Sequence, residues 1–395
     1  MEEKSKDLLQ KNAGMIKKIF LLFITWRLFL FIPLFASEVF LSSRAGYDYT
    51  LLPHFLDKSS KWLSHFLIYP YGNFDAVYYL LIAAKGYTVN AGFFPLFPLT
   101  IHLTTLPFGN ILPFDPVQYF LAIGLVSIYF LTALNVFYKL IRFDYKHNVA
   151  VWSIIFILIF PTSFFYASIY SESLFLLLSL STFYFARKKK WIWAGITGGL
   201  LSATRIVGIA ILPAILYEYF KYEKNKSLTK LLSILISPLG LISYIIYDFY
   251  KWGNPFYFIQ AQGNLANNRS VDTIILFPQT IFRYIKILTT VKPNIYEWWV
   301  SLFEILFFIF ILVLLYIAWK KKIRFSYILF GFLCFLIPSL TGTFSGLPRY
   351  IVVIFPIFIA LALIKNKYFK IIYSIISIIL LFIFFMLFSK GYFIS

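Results

Sequence analysis

The stretch NFDAVYYLLIAAKGYTVNAGFFPLFPL, residues 73–99, decides how the rest of the chain is laid out. It carries a single acid, Asp75, ahead of an apolar run in which Leu80, Leu81, Ala83 and Ala84 fit an amphipathic helix lying on a membrane. Asp75 falls in the first turn of that helix. A carboxylate there favours the positive end of the helix dipole and can cap free N–H groups. Gly86 can end the helix in a left-handed conformation. Gly92-Phe93-Phe94-Pro95-Leu96-Phe97-Pro98-Leu99 follows, and its two prolines are expected to prevent a regular helix start. The apolar segment 93–107 is short and also holds Pro107. Counted as a membrane span, it would move every later basic cluster to the other side of the bilayer. We read it as dipping into the membrane and buried against protein, where irregular backbone is tolerated.

Working outward, the whole chain has the composition of a bilayer protein. Of its 395 residues, 61% are hydrophobic and 13% are charged, against about 45–50% apolar and about 25% charged in a soluble domain. Many apolar blocks reach the roughly 20 residues that a spanning helix needs. The formal net charge is +20. The cations sit at block ends: in the tail through Lys18, and in 139–146, 187–190, 221–230, 320–324 and 365–370. That is the positive-inside pattern, not a nucleic-acid-binding face. We assign these clusters to the cytoplasm and expect no nucleic acid among the partners.

The block from Ile16 to about Ala36 is longer than a signal-peptide core and has no clear cleavage site, so it reads as a retained first helix. Cys334 is the one cysteine, which leaves no intrachain disulfide and no thiolate metal site. His54, His65, His102 and His147 are scattered with no metal-ligand spacing. No metal and no cofactor are expected.

These placements predict an all-α integral membrane protein, one polytopic domain over 1–395. Its helices are expected near 16–36, 117–138, 149–169, 173–186, 191–203, 206–220, 229–250, 296–319, 325–341, 349–364 and 369–390. That makes about eleven transmembrane helices, with the N-terminus cytoplasmic and the C-terminus extracytoplasmic. Residues 1–36 are the tail and first helix, and 37–116 a first extracytoplasmic loop with amphipathic helices. Core helices follow over 117–250, then a second loop over 251–295 and C-terminal helices over 296–395. The block 191–220 must be two short helices hinged near Arg205, since one long helix would flip everything downstream. No internal repeat suggests a transporter built from inverted halves.

The extracytoplasmic side carries Glu38, Asp48, Asp57, Asp75, Asp115, Glu172, Asp248, Asp272 and Glu297. Most of these are expected to be solvated loop residues. Asp75 has two readings, a helix cap or a carboxylate held at the lip of a membrane cavity. Lys85 is expected among lipid headgroups.

The order Phe74-Asp75, Tyr78-Tyr79-Leu80, Ile82-Ala83, Gly86-Tyr87 and Gly92-Phe93-Phe94-Pro95-Leu96-Phe97-Pro98-Leu99 resembles the PIG-V family, the GPI mannosyltransferase II relatives with prokaryotic members. Further segments are similar to that family: Tyr170-Ser171-Glu172-Ser173-Leu174-Phe175, Ser202-Ala203-Thr204-Arg205, Gly253-Asn254-Pro255-Phe256, Gln260-Ala261-Gln262, Leu347-Pro348-Arg349-Tyr350 and Phe355-Pro356. Two departures stand out. Phe74 replaces the family's Trp, and Tyr78 and Lys85 replace histidines of many relatives, which bears on the acceptor more than on the reaction type.

The resemblance implies a GT-C fold and an inverting glycosyltransferase, of mannosyltransferase type. Its donor would be a polyprenyl-phosphate sugar at the extracytoplasmic face. The acceptor would be a glycolipid or glycan, with membrane lipids around it. It also implies the roles to test: Asp75 as the general base that takes the acceptor hydroxyl's proton, and Glu172 as a second carboxylate or a helix-end cap. Arg205 and Arg349 would grip the donor phosphate, or else form ion pairs with Glu172 or another loop acid. Tyr78, Gln260 and Gln262 would hydrogen-bond sugar hydroxyls. The competing reading is a polytopic lipid or sugar transporter or flippase.

Overall fold

In the computed structural model, the structure describes residues 2–44, 68–88, 91–109, 111–263 and 269–394, with side chains from residue 14 onward. Asp48, Asp57, His54 and His65 lie outside the described residues, as does the middle of the expected first loop. Regular structure among the described residues is helical, apart from one parallel bridge between Ile275 and Thr341.

The helices run in chain order: α1 (Glu2–Phe29), α2 (Phe31–Phe40), α3 (Asp75–Lys85), α4 (Leu96–Thr105), α5 (Pro116–Ile141) and α6 (His147–Leu158). Then come α7 (Glu172–Arg187), α8 (Trp191–Ser202), α9 (Ile211–Tyr222), α10 (Leu228–Ile234), α11 (Leu239–Trp252) and α12 (Tyr257–Gly263). The last are α13 (Phe277–Thr290), α14 (Tyr296–Lys320), α15 (Phe325–Ser339), α16 (Leu347–Ile351), α17 (Pro356–Ala362) and α18 (Lys367–Ser389).

Among the described residues, four stretches are long and apolar enough to cross a bilayer: Gly14–Phe40, Pro116–Ile141, Tyr296–Lys320 and Lys367–Ser389. The pair α10 and α11, bent by 51°, would make a fifth. The chain is a multi-pass membrane protein. The other expected spans are shorter or broken, and proline accounts for most of the breaks. The expected helix 149–169 stops at Leu158, ahead of Pro161, and continues as a short 3-10 turn, Ser163–Tyr166. The expected helix 349–364 is two pieces, α16 and α17, with Pro356 opening the second. Helix α15 holds Pro338 near its end.

The block 191–220 is hinged as expected. Helix α8 ends at Ser202, Arg205 is extended, and a 3-10 segment Ile206–Ala210 leads into α9. Gly208 permits this fold-back, because a Cβ there would come within 2.4 Å of the Leu201 carbonyl oxygen.

Helix α7 is the central strut. It packs along α5 and α8, while α6 packs on α17, α14 on α17, and α2 on α18. At its C-terminal end the basic clusters meet. Arg187 is paired with Asp144, Lys189 Nζ donates to the Tyr222 carbonyl at 2.7 Å, and Arg324 Nε donates to Glu218 Oε2 at 2.8 Å. Clusters far apart in sequence therefore share one end of the bundle.

The first-loop helices differ in one respect from the sequence reading. The prolines do not prevent a regular start to α4: Pro95 is its N-cap and Pro98 lies in its first turn, where backbone N–H groups have no intrahelical partner to lose. Helix α4 buries Phe97, Pro98 and Ile101 against the bundle and leaves Leu99, Leu103 and Leu106 outward. One acid expected to be solvated is not. Asp248 is buried in α11 and accepts from the Phe258 N–H at 2.8 Å, satisfying the start of α12.

Candidate active site

The site is built where α3, α7, the α8–α9 hinge and α16 converge. Helix α3 starts at Asp75, directly after Phe74, whose φ of 56° lies in the region that favours glycine. Holding a bulky residue there costs about 1–3 kcal/mol and needs a tight surround. That surround is present. The Phe74 ring lies 5.3 Å from Phe388 and 5.4 Å from Phe393, centroid to centroid. Asn73 Nδ2 donates to the Phe388 carbonyl at 3.0 Å, and Tyr170 Oη donates to the Asn73 carbonyl at 2.9 Å. The Asp75 N–H in turn donates to Tyr170 Oη at 3.3 Å. The backbone at Asp75 is thus over-determined from three sides.

The Asp75 side chain does not cap its own helix, since Phe74 is the N-cap and no side-chain cap bond forms. It turns away and accepts from Arg349 Nη1 at 2.6 Å. Arg349 Nε lies 3.3 Å from Glu172 Oε1, and Arg205 Nη1 donates to that same oxygen at 2.6 Å. The chain Asp75–Arg349–Glu172–Arg205 joins residues that are up to 274 positions apart. All four charged residues singled out in the sequence meet here.

They are not equivalent. The Glu172 side chain is 1% exposed, Arg349 10% and Arg205 12%, whereas Asp75 is 23% exposed. Asp75 is therefore the carboxylate a reactant can reach. Glu172 is the buried anion that holds both guanidinium groups, and its Oε2 has no hydrogen-bond partner. Both arginines reach carboxylates and neither stands free. Arg349 is carried on α16, which begins at Leu347 and is only five residues long. Tyr79 Oη donates to Ser171 Oγ at 3.1 Å beside Glu172. Burial above all, and then the Glu172 charge, pushes its hydroxyl pKa up, so it remains a proton donor.

The structure adds residues that the sequence reading passed over. The Tyr350 ring is approached by three guanidinium carbons, those of Arg205 at 4.9 Å, Arg269 at 5.2 Å and Arg349 at 5.2 Å from its centroid. Glu304 is buried in the first half of α14 and accepts from Tyr284 Oη at 2.5 Å. Tyr284 Oη also accepts from the Phe344 N–H at 3.0 Å, which ties down the loop leading into α16. Glu304 had a signal in the sequence, a lone acid inside an apolar span. Arg269 had none, since a cation in a polar loop is ordinarily solvated.

The residues expected to bind sugar are only partly brought in. Tyr78 stacks on Phe93 with centroids 4.8 Å apart, three positions beyond the start of α3. Gln262 Nε2 donates to the Gly92 carbonyl at 2.7 Å and so ties the second loop to the first, while Gln260 is exposed on α12. Neither glutamine contacts the charged cluster. A cavity of about 350 Å³ is lined by residues 82–87 together with Pro95, Pro98, Leu99 and His102. It lies toward the far end of α3, seven residues and about 10 Å along the helix from Asp75. Asp75 does not line this cavity. Exposed Lys85 does. Among the described residues no three His, Cys, Asp or Glu side chains gather as a metal site would require.

Comparison with curated protein sequences gives no match. Among solved structures, the chain is similar to an oligosaccharyltransferase of Archaeoglobus fulgidus, crystallised with a tethered acceptor peptide. The TM-score is 0.43 at 14% identity, over 80% of this chain and 51% of that one. The chain thus spans about half the length of that protein. A family model described as mannosyltransferase (PIG-V) matches residues 16–252, which takes in Asp75, Glu172 and Arg205 and stops short of Arg269 and Arg349. With more than half of its length matched, the chain belongs to the mannosyltransferase (PIG-V) family of membrane glycosyltransferases.

Proposed function

We propose that the chain transfers a sugar, of mannose type, from a polyprenyl-phosphate donor to a glycolipid or glycan acceptor at the extracytoplasmic face, with inversion. Asp75 is the general base in this reading. One observation carries it: Asp75 is the accessible member of a buried two-carboxylate, two-arginine cluster, presented on a strained and over-determined helix start. Strain of this kind persists where geometry matters to function.

The step balances simply. The acceptor hydroxyl oxygen forms a bond to the anomeric carbon while the bond from that carbon to the donor phosphate oxygen breaks. The hydroxyl proton passes to the Asp75 carboxylate, and polyprenyl phosphate leaves with the bonding electrons. A base on the face opposite the leaving group gives inversion in one displacement. Cationic side chains stabilise the charge that develops on the phosphate, so the chemistry is metal-independent in this reading. The orientation follows the cationic end of the bundle. With that end in the cytoplasm, the N-terminus is cytoplasmic, the C-terminus extracytoplasmic, and the shorter broken helices complete about eleven crossings of a GT-C-type bundle.

The test is purified protein incubated with labelled polyprenyl-phosphate-mannose and lipid or glycan acceptors. Labelled product from the wild type, lost by about 10²–10⁴-fold in Asp75→Asn, is the expected result. Transfer that persists undiminished in the variant removes Asp75 from the reaction. Movement of substrate across vesicles without transfer supports a transporter instead.

A further inference from the structure

Glu172 and Asp75 together hold Arg205 and Arg349, so neither of those guanidinium groups is free of a carboxylate. Arg269 stands beside them without one. Its Nη2 donates to the Ser345 carbonyl at 2.9 Å and to Tyr350 Oη at 2.8 Å, both neutral oxygens. Its Nε is buried with no hydrogen-bond partner, and no ion pair to it is found among the described residues. The further acid, Glu304, acts on Arg269 through space without a salt bridge to it among the described residues, and accepts from Tyr284 Oη at 2.5 Å. Around the Tyr350 ring three guanidinium groups gather, and the salt bridges to Asp75 and Glu172 belong to Arg205 and Arg349. An unpaired buried cation is costly, and a bound anion relieves the cost.

Arg269 is also fixed in place. The Ser270 N–H donates to the Thr341 carbonyl at 2.9 Å and the Ile275 N–H to the Leu340 carbonyl at 3.0 Å. Arg283 Nη1 donates to the Gly342 carbonyl at 3.0 Å. The second loop is thus clamped to the segment that delivers Arg349. A guanidinium presented this way keeps N–H donors in a planar fork that suits phosphate oxygens.

We propose that Arg269 is the donor-phosphate ligand, being the guanidinium beside Tyr350 that has no salt bridge among the described residues, while Arg205 and Arg349 act chiefly to hold the two carboxylates. This rests on the polyprenyl-phosphate reading above. The ligand chemistry is a lipid-borne phosphate anion, and membrane phospholipid headgroups share it.

Binding of undecaprenyl phosphate to full-length protein in detergent tests the assignment, with undecaprenol and phosphatidylglycerol as comparison ligands. Arg269→Gln should weaken undecaprenyl phosphate by about 10- to 100-fold, the loss of one charge-assisted contact. Arg269→Lys should fall between the two. Undecaprenol, which lacks the charge, should bind wild type and both variants alike, which separates loss of the charge from loosening of the loop. Equal undecaprenyl phosphate affinity in wild type and Arg269→Gln overturns the assignment, as does a parallel loss of undecaprenol. Competition by phosphatidylglycerol as strong as by undecaprenyl phosphate makes this a headgroup site and also overturns it. Failure of the wild type to bind undecaprenyl phosphate at all overturns the donor class, and the assignment with it.

Discussion

Helix α7 begins at Glu172 and ends at Arg187, and the two ends, about 22 Å apart, use buried charge in opposite ways. At the basic end, Glu218 is 1% exposed and fully engaged. It accepts from Arg324 Nε at 3.0 and 2.8 Å, from Arg324 Nη2 at 2.5 Å, and from Ser326 Oγ at 2.9 Å. Arg187 lies against both Asp144 oxygens and Tyr327 Oη. At the other end, Glu172 is equally buried, yet one of its oxygens serves two arginines and the other has no partner. Asp75 keeps partial exposure, and Arg269 has an unpartnered Nε and no salt bridge among the described residues. A satisfied network rigidifies, whereas an incompletely satisfied one stores cost that a ligand can relieve. Burial alone does not separate the two ends, but the count of partners does.

Several measurements would break or sharpen this contrast. The largest effect is expected from Asp75→Asn, the fall of about 10²–10⁴-fold in transfer rate given above. Glu172→Ala comes next. It releases Arg205 and one side of Arg349, and should lower kcat by about 10²-fold in protein that still folds, the size of effect that follows a misplacement of about 1 Å. Glu218→Ala should do the reverse. Thermal unfolding in detergent should show a loss of about 3–5 kcal/mol from breaking a buried pair, with kcat per folded molecule unchanged. An equal fall in kcat for Glu218→Ala and Glu172→Ala would erase the distinction between the ends. The smallest effect is expected from Tyr79→Phe, which removes the donor to Ser171. It should cost about 0.5–1.5 kcal/mol in stability and leave the donor KM alone.

The aromatic composition supports both ends without distinguishing them. Phe183 and Tyr327 pack around Phe355 on the way to the basic end, and Phe165, Tyr170 and Phe388 pack behind Asn73 and Phe74 at the other. Such ring clusters hold the broken helices in register where a continuous hydrogen-bonded span is missing.

Asp75, Glu172, Arg205 and Arg349 were legible because each is a charge in an apolar or helix-boundary setting, where chance placement is costly. The hinge at Arg205 was legible from the charge pattern alone. The continuous spans followed from length and hydropathy, but the short helices did not, because apolarity says nothing about where a proline will divide a segment. Gln260 and Gln262 were misleading for a related reason. A polar loop residue carries no mark of whether it faces a ligand or a neighbouring backbone carbonyl, and Gln262 faces the carbonyl of Gly92.

By itself, the sequence determined that the chain lives in a bilayer, where along the chain the cations cluster, and which four charged residues stand in costly settings. Those conclusions depend on composition and local order, which survive without a fold. Only the tertiary structure decided who pairs with whom. Asp75 turns to Arg349 instead of capping its helix, Glu172 is shared, Asp248 is buried, and Arg269 has no salt bridge among the described residues. Each of these depends on distances between residues far apart in the chain, set by how α3, α7, α16 and the second loop pack, and local sequence contains no measure of such distances.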